Sequence, residues 1–538
     1  MNGEHVYPSD TRAGDSLTTV YADGSPIALD ATGVPGLDMA LGGSIHRGSL
    51  VIVAGPPGAG KTVLAHHMAF AAARAGRSVT ILTAFSEPTY KLVAHMASFH
   101  FFDRDLLGGA VEMLSIQQFL KQGLEAAAEE VVEVVRAARS QLIVLDGFRA
   151  VRESAEQPEM ARRFIYDVSN HLCILGITLL LTTEAHARES SFFPEATTAD
   201  VLIGLGFDTI EARERRTLEV LKARGSVPLT GRHALTVSDD GVTIHPRLEA
   251  VVAAHARLSQ SGGSDDRDAT PAVAANPALA PTGFVALDNA LGGGIKAGVG
   301  LLVAGGVGVG KTLLSLQFAL AGARLGEPVV FAGFHETAEQ LTRKASAFAW
   351  GSELERAISS GQLTVLRALP SELRADVFAD NLLRLIETSG VRRLALDDVG
   401  ALQAALRASG YKRRFHDFLA ALHEELRRRG VVSLLTYRSP YQRRADVEAD
   451  LGSAATIAEN VVWLRRKDRR GGSLSDRRRL GILKTGSFTL EPTRLSCAIT
   501  ADDGIRIGAK DGVDLDRKSA SPAGKSKRER KERGDAAN

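Results

Sequence analysis

Short apolar runs alternate along this chain with longer segments in which apolar and polar residues follow a helical period. In the first half, apolar runs that predict strands lie near Leu50, Val79, Leu142 and Thr178. Between them, the segment LEAAAEEVVEVVRAARS has the spacing of an amphipathic helix. Strands that alternate with helices form a parallel sheet covered by helices on both faces, and such sheets bind ligands at the carboxyl ends of their strands. The pattern therefore predicts an α/β fold.

A glycine-rich sequence occurs twice, each time after an apolar run and before a helical segment. Residues 55–62 read GPPGAGKT and residues 305–312 read GGVGVGKT, so both match G-x-x-x-x-G-K-[ST]. Here glycines let backbone N–H groups converge on phosphate oxygens, the lysine reaches the β- and γ-phosphates, and the hydroxyl holds Mg²⁺. Two glycine-rich turns that arose by chance would not both lie between an apolar run and a helical segment. The predicted nucleotide-binding residues are Gly55, Gly58, Gly60, Lys61, Thr62, Gly305, Gly308, Gly310, Lys311 and Thr312.

The two halves repeat one another beyond these loops. Residues 32–45 read TGVPGLDMALGGSI and residues 282–295 read TGFVALDNALGGGI. A period this long indicates duplicated domains, and 538 residues are enough for two cores. The expected parts are an N-terminal extension (1–30), a first domain (31–258), a Ser-, Gly-, Ala- and Pro-rich linker (259–281), a second domain (282–510) and a basic disordered tail (511–538).

Composition indicates more about the protein's location and partners than about the reaction that it performs. The net charge is +2, so no global field favours nucleic acid. Cys173 and Cys497 lie in apolar stretches, and we expect buried free thiols, as suits a reducing cytoplasm. The longest apolar run begins at Leu172, is too short for a membrane span, and predicts a buried strand. We expect a cytoplasmic protein without membrane contact.

Carboxylates end the predicted strands that lie near each P-loop. Asp146 ends LIVLD and Asp397 ends RLALD, where an acid holds Mg²⁺ directly or through water; a helix-capping aspartate is the alternative. Hydrolysis also needs a group that orients or deprotonates the attacking water. Glu87 and Glu336, at the ends of the strands after the P-loop helices, are the best-placed candidates, and ordinary surface glutamates are the alternative.

In this order, and in tandem over residues 31–508, the motifs resemble the KaiC family of RecA-superfamily ATPases. The resemblance rests on T-G-x-x-x-L-D-x-A-L-G-G, the P-loop, a strand ending in Glu and the later strand ending in Asp. It implies two tandem RecA-like P-loop NTPase domains, each a mostly parallel sheet flanked by helices. It also implies ATP and Mg²⁺ as cofactors, and a homohexameric double ring with ATP between adjacent subunits.

Residues 215–226, RRTLEVLKARGS, resemble the family's segment that reaches a neighbouring subunit's nucleotide. By that match, Lys222 and Arg224 act in trans on the γ-phosphate, as arginine fingers do. The second half reads RRRLGILKTGSF, which aligns Lys484 with Lys222 but offers no arginine to match Arg224. Substitution by nearby arginines is the alternative, and the candidates are Arg465, Arg466, Arg469 and Arg470. The resemblance therefore implies that the first site is the better catalyst.

Two further departures from the family concern catalysis and phosphorylation. Family members have two consecutive glutamates after the second strand, and here Ser86 and His335 stand at the first of these positions. Clock-type members autophosphorylate an adjacent Ser–Thr pair, and here Thr456 matches the threonine whereas Ala455 replaces the serine. A two-site phosphorylation cycle at these positions is therefore excluded. Thr456 stays a candidate phosphoacceptor for a serine/threonine autokinase, with ordinary strand-end packing as the alternative.

The leading hypothesis is an oligomeric, KaiC-like ATPase whose conformational state is sensed by a signalling or regulatory partner that the sequence does not name. One alternative is a DNA-associated, RecA-like ATPase of recombination or repair, which would use the basic tail and residues 463–479. Aromatic residues that would stack on single strands are scarce there, so nucleic acid is not the favoured partner. The other alternative is a sensor that binds ATP and barely hydrolyses it.

Overall fold

The computed structural model describes most of both halves. The described residues are 28–84, 89–184, 194–210, 212–261, 279–411, 413–441, 443–452, 455, 457–466, 477–486 and 494–508. Within these ranges the strands form two nine-stranded sheets and one two-stranded sheet. The two large sheets are mostly parallel and flanked by helices, as the sequence predicts.

The first half alternates strands and helices up to residue 200 and then adds consecutive strands. Its elements are β1 (Leu29–Asp30), α1 (Leu37–Leu41), β2 (Ile45–His46), β3 (Leu50–Ala54), α2 (Lys61–Arg74), β4 (Val79–Thr83), α3 (Thr89–Met96), β5 (Val111–Ser115), α4 (Gln117–Leu120), α5 (Leu124–Ala137), β6 (Leu142–Asp146), α6 (Arg149–Glu153), α7 (Pro158–Ile174), β7 (Thr178–Thr183), β8 (Val201–Ile210), β9 (Arg213–Ala223), β10 (His233–Ser238), β11 (Gly241–His245) and α8 (Leu248–Ser261).

The second half repeats this succession. Its elements are α9 (Val285–Ala290), β12 (Gly300–Gly305), α10 (Lys311–Arg324), β13 (Val329–Gly333), α11 (Ala338–Ala345), α12 (Gly351–Ser359), β14 (Leu363–Arg367), α13 (Ala375–Thr388), β15 (Arg393–Asp397), α14 (Gly400–Ala408), α15 (Phe415–Arg428), β16 (Val432–Arg438), α16 (Arg444–Leu451), β17 (Asn460–Arg466), β18 (Arg477–Lys484), β19 (Arg494–Thr500) and β20 (Gly504–Gly508).

The first large sheet places its P-loop strand at the centre. The strand order is β11-β10-β9-β8-β3-β7-β6-β4-β5, and β3 runs parallel to both neighbours, β7 and β8. Alternate residues of β3 enter different cores: Val51 and Val53 pack with α2, whereas Leu50 and Ile52 pack with α5 and α7. Because a strand buried on both faces needs apolar residues throughout, the run LVIVA is continuous rather than alternating.

The second large sheet has the same strand order, β14-β13-β15-β16-β12-β17-β18-β19-β20. Its P-loop strand, β12, runs parallel to its neighbours β16 and β17. In both sheets the P-loop strand therefore lies at the point where the strand order changes direction. Open α/β sheets bind ligands at the carboxyl ends of the strands at such a point.

Packing divides the chain into two compact units that do not follow the repeat boundaries. The first unit contains residues 1–276, 366–391 and 400–429, and the second contains residues 277–365, 392–399 and 430–538. Helices α13, α14 and α15, although they belong to the second repeat, are thus part of the first unit. There, Arg414 donates hydrogen bonds to Glu249 of α8 and Asp376 of α13 at 2.5–2.8 Å.

Two local expectations from the sequence are wrong. Cys497 is buried as expected, but Cys173 is exposed, because it lies on the outer side of the last turn of α7. The apolar run that begins at Leu172 is not one strand: α7 ends at Ile174, and β7 begins after Gly176, whose φ of 68° is typical of a helix end. Helix α8 continues through residue 261, into the segment predicted as a linker. Among the described helices, none combines the length and apolar character that a membrane crossing requires.

Candidate active sites

The first P-loop connects β3 to α2 through glycines whose backbone other residues could not easily adopt. Gly58 and Gly60 have φ values of 77° and 98°, and a Cβ on Gly55 would lie 2.6 Å from the carbonyl oxygen of Leu205. Lys61 Nζ donates to the carbonyl oxygens of the first two loop residues, both at 3.0 Å. Burial is the main reason why the pKa of Lys61 is lowered. This arrangement, a glycine loop with its lysine already inside, is the one expected of a phosphate cradle.

Asp146 lies at the end of β6 and is almost fully buried beside the first P-loop. Its Oδ1 accepts hydrogen bonds from Thr62 Oγ1 at 3.2 Å and from Thr182 Oγ1 at 2.5 Å. His66 Nε2, one helical turn beyond Thr62, lies 3.6 Å from Oδ2. Burial raises the pKa of Asp146, but His66 and the two hydroxyls lower it more, so the carboxylate form is favoured.

The Thr62 hydroxyl and the Asp146 carboxylate are hard oxygen donors of the kind that Mg²⁺ prefers. Asp146 Oδ2 is buried and makes no hydrogen bond within the described part of the chain. A buried carboxylate oxygen without a donor is costly unless a cation balances it. The residues at this point therefore fit a magnesium ion.

The second P-loop repeats this geometry between β12 and α10. Gly308 and Gly310 have φ values of 68° and 111°, and a Cβ on Gly305 would lie 2.4 Å from the carbonyl oxygen of Leu464. Lys311 Nζ donates to the carbonyl oxygens of the first two loop residues, both at 2.9 Å. Its pKa is likewise lowered, mainly by burial.

Asp397 takes the place of Asp146 in the second site. Thr312 Oγ1 donates to Asp397 Oδ2 at 2.5 Å, and Thr436 of β16 donates to Oδ1. The same donor set, hydroxyl and carboxylate, is thus present twice. The sites differ one helical turn away, where Leu316 of α10 occupies the position that His66 has in α2.

Of the two proposed water-activating acids, Glu336 lies within the described residues and Glu87 lies outside them. Glu336 follows β13, and its carboxylate forms an ion pair with Lys344 of α11. The neighbouring His335 is exposed.

Lys222 and Arg224 lie at the opposite end of β3 from the P-loop of their own chain. Lys222 Nζ donates to the carbonyl oxygen of Thr197 at 3.1 Å, and Arg224 pairs with Asp200 at 3.1 Å. Asp200 Oδ2 also accepts a hydrogen bond from the N–H of Leu50, the first residue of β3. A five-residue strand spans roughly 16 Å, so these cations are not brought to their own nucleotide site.

Lys484 occupies the equivalent position in the second repeat. In the register between β17 and β18, Lys484 lies opposite Val461, at the amino end of β17. Lys484 Nζ donates to the carbonyl oxygens of Ala458 at 2.8 Å and Ala455 at 3.2 Å. It too lies at the sheet edge opposite its own P-loop. Thr456 lies outside the described residues.

An arginine contacts each P-loop from the strands on one side of the P-loop strand. Arg216 Nε of β9 donates to the carbonyl oxygen of Gly58 at 3.1 Å, and Arg466 Nη2 of β17 donates to that of Gly308 at 3.2 Å. Each contact holds the middle of its loop from the same chain. Most of residues 463–479, the basic segment considered for DNA binding, lies outside the described ranges.

The family model for KaiC ATPases matches residues 31–249 and 280–512, which include both P-loops and both strand-end aspartates. The chain belongs to the KaiC family of ATPases. Among curated relatives, it is 26% identical to the circadian clock oscillator protein KaiC of Rippkaea orientalis over 392 residues, 71% of each chain. It is 26% identical to the circadian clock protein KaiC3 of Synechocystis sp. over 451 residues, 81% of this chain and 83% of the relative.

Two charged residues beside the P-loops of this KaiC-family chain are not among those predicted from the sequence. Glu184 directly follows β7, and its Oε2 lies 3.5 Å from Nη1 of Arg149. Arg438 ends β16, and its Nε lies 3.8 Å from Oδ2 of Asp398. Like Asp146, both stand at the carboxyl end of a parallel strand, and their strands, β7 and β16, are direct neighbours of the P-loop strands. The sequence signal for them is the charged residue that closes the apolar runs LLLTTE and LLTYR.

Proposed function

We propose that this KaiC-family ATPase binds ATP with Mg²⁺ at both P-loops and hydrolyses it mainly at the first. The observation that supports this is the repeated arrangement of lysine, threonine and buried aspartate around two glycine loops. On this proposal the first site drives a conformational cycle, and a regulatory protein responds to the state of the second site.

At the first site, backbone N–H groups of residues 55–60 and the ammonium group of Lys61 would hold the phosphates. Thr62 and Asp146 would hold Mg²⁺, which when bound neutralises charge that develops on the phosphate oxygens. Thr182 would fix the Asp146 carboxylate, to which it donates at 2.5 Å. Lys61 would exchange its two carbonyl contacts for phosphate oxygens, and a charged acceptor makes the stronger hydrogen bond.

We further propose a homo-oligomeric ring, hexameric by resemblance to the family. The supporting observation is the position of Lys222 and Arg224 at the amino end of β3, away from their own P-loop. In a ring, each could contact the γ-phosphate bound to the adjacent subunit. Gly486 occupies the position that aligns with Arg224, so the second ring of sites would lack that arginine and hydrolyse more slowly.

Separate substitution of the two P-loop lysines tests this function. Lys61→Ala should reduce ATP turnover of the full chain more than Lys311→Ala does, and each should weaken nucleotide binding at its own site at least roughly tenfold. The exposed Lys121→Ala provides a matched control that should change neither quantity. Turnover, nucleotide stoichiometry and oligomer size are measured together. Equal losses of turnover, or a larger loss in Lys311→Ala, would refute the proposed asymmetry.

A second candidate activity is autophosphorylation at Thr456. It is supported by the contact between Lys484 and the carbonyl oxygen of Ala455, the residue before Thr456 in the sequence, because Lys484 aligns with a residue proposed to act on the adjacent nucleotide. Phosphopeptide mapping after incubation with ATP and Mg²⁺ tests this activity. Absence of incorporated phosphate while ATP is being hydrolysed would exclude the kinase and leave the ATPase.

A further inference from the structure

The strands beside the two P-loops end in opposite charges. In the first sheet Thr183 pairs with Ala54, and the N–H of Gly55 donates to the carbonyl oxygen of Thr183 at 3.2 Å, so Glu184 emerges beside the first loop glycine. In the second sheet Arg438 pairs with Gly305 itself. The parallel registers therefore bring an acidic side chain to the first site and a basic one to the second, from the same position.

Both side chains lie close enough to the neighbouring P-loop lysine for their charges to act on it, Glu184 on Lys61 and Arg438 on Lys311. The side chain of Arg438 is 58% exposed, and the distance from its Nε to Oδ2 of Asp398 is long at 3.8 Å. It is thus close to the phosphate cradle and not committed to a strong ion pair.

The second site is also the one that lacks an arginine from the trans-acting segment. Gly486 stands where Arg224 would align, and its N–H donates to Asn460 Oδ1 at 3.2 Å. The two repeats therefore carry opposite combinations. The first has an arginine in the trans-acting segment and an acid beside the P-loop lysine. The second has a glycine in the trans-acting segment and an arginine beside the P-loop lysine.

We propose that Arg438 binds the γ-phosphate of ATP in the second site from within the same chain, in place of the arginine that the second repeat lacks. This inference rests on the proposed binding of ATP at the second P-loop. A planar guanidinium with several N–H donors suits a terminal phosphate, and it contributes little to a ligand that ends at the β-phosphate. The second site then distinguishes ATP from ADP without help from a neighbouring subunit, as a nucleotide sensor requires.

The test compares ATP and ADP affinities of the second site in the full-length Lys61→Ala protein. Calorimetric titration with Mg²⁺ present should show that Arg438→Gln weakens ATP binding about tenfold or more and ADP binding less than about threefold. Arg438→Lys should restore part of the ATP affinity. The exposed Arg444→Gln on α16, which removes a surface pair with Glu448, should leave both affinities unchanged.

The possible results distinguish a failure of the role of Arg438 from a failure of ATP binding at the second site. Unchanged ATP affinity in Arg438→Gln, or equal losses for ATP and ADP, would overturn the role of Arg438. Retained ADP binding in the same titrations shows that the variant is folded. If the Lys61→Ala protein itself binds no ATP at its second site, the proposed function fails instead.

Discussion

His67 should make the region around the first P-loop helix sensitive to acid. The residue lies in α2, where its ring stacks on Phe101 with a centroid distance of 4.7 Å and its Nδ1 accepts a hydrogen bond from the N–H of Val242 at 3.2 Å. Burial, with a smaller contribution from the positive charge of Arg74, lowers the pKa of His67 from 6.5 to about 4. The folded protein therefore keeps this imidazole neutral where the unfolded chain protonates it.

The sign and size of the effect follow from this difference. Below pH 6.5 the unfolded state binds a proton that the folded state does not, so stability falls as the pH falls from 6.5 to about 4, and no further below that. The full difference corresponds to at most about 3 kcal/mol, of which about 2 kcal/mol is lost at pH 5. We expect hydrogen exchange of α2 to accelerate accordingly between pH 7.5 and pH 5, after correction for the intrinsic exchange rate.

The His67→Gln variant isolates this contribution. Glutamine does not titrate, and its amide oxygen can accept the hydrogen bond from Val242. Between pH 7.5 and pH 5, the opening free energy of α2 should change by about 2 kcal/mol less in this variant than in the wild type. His100→Gln, at an exposed histidine that pairs with Asp240, should keep the wild-type dependence. If His67→Gln also kept it, the assignment to His67 would be wrong.

Two further predictions concern the thiols and a fully buried arginine. Iodoacetamide at pH 8 should modify exposed Cys173 and spare Cys497 in the native protein, because burial raises the pKa of Cys497 to about 12; mass spectrometry should find both modified only in denaturant. Arg393→Ala should destabilise the second unit by about 3–5 kcal/mol in urea titrations, because fully buried Arg393 pairs with Glu327 at 2.7 Å and also donates to two backbone carbonyls. Arg324→Ala, which breaks an exposed pair, should cost less than about 1 kcal/mol, and similar losses in the two variants would contradict this reasoning.

The fold was predictable because its signals are local. The run LVIVA followed by a glycine loop specifies a buried strand and its turn within a few residues, and the same signal repeats at β12. Periodicity also predicted the helix that the structure places at Leu124–Ala137. The two mostly parallel sheets follow from this alternation of strands and helices.

Other features depend on contacts between residues far apart in sequence. Nothing in the helical period of α13 or α15 indicates that they pack in the first unit, since that requires Arg414 to meet Glu249 and Asp376. Arg393 appears in the sequence as a charge within a strand, and only the packed structure reveals that it is buried. The strand-end rule could have identified Arg438, but its proximity to Lys311 depends on the register between β12 and β16. Glu87 and Thr456 stay predictions, because both lie outside the described residues.

The ion pair between Arg224 and Asp200 bears on how readily subunits could exchange contacts. The Arg224 side chain is 60% exposed and that of Asp200 31%, so breaking the pair costs less than about 1 kcal/mol. A hydrogen bond from the same guanidinium to a phosphate is worth roughly 1.5–3 kcal/mol. In the proposed ring, an arginine held in this way would be ordered before assembly and would be released at little cost when a nucleotide is within reach. Asp200 would not be left unsatisfied, since it keeps its bond to the N–H of Leu50, and association would begin from a preordered surface.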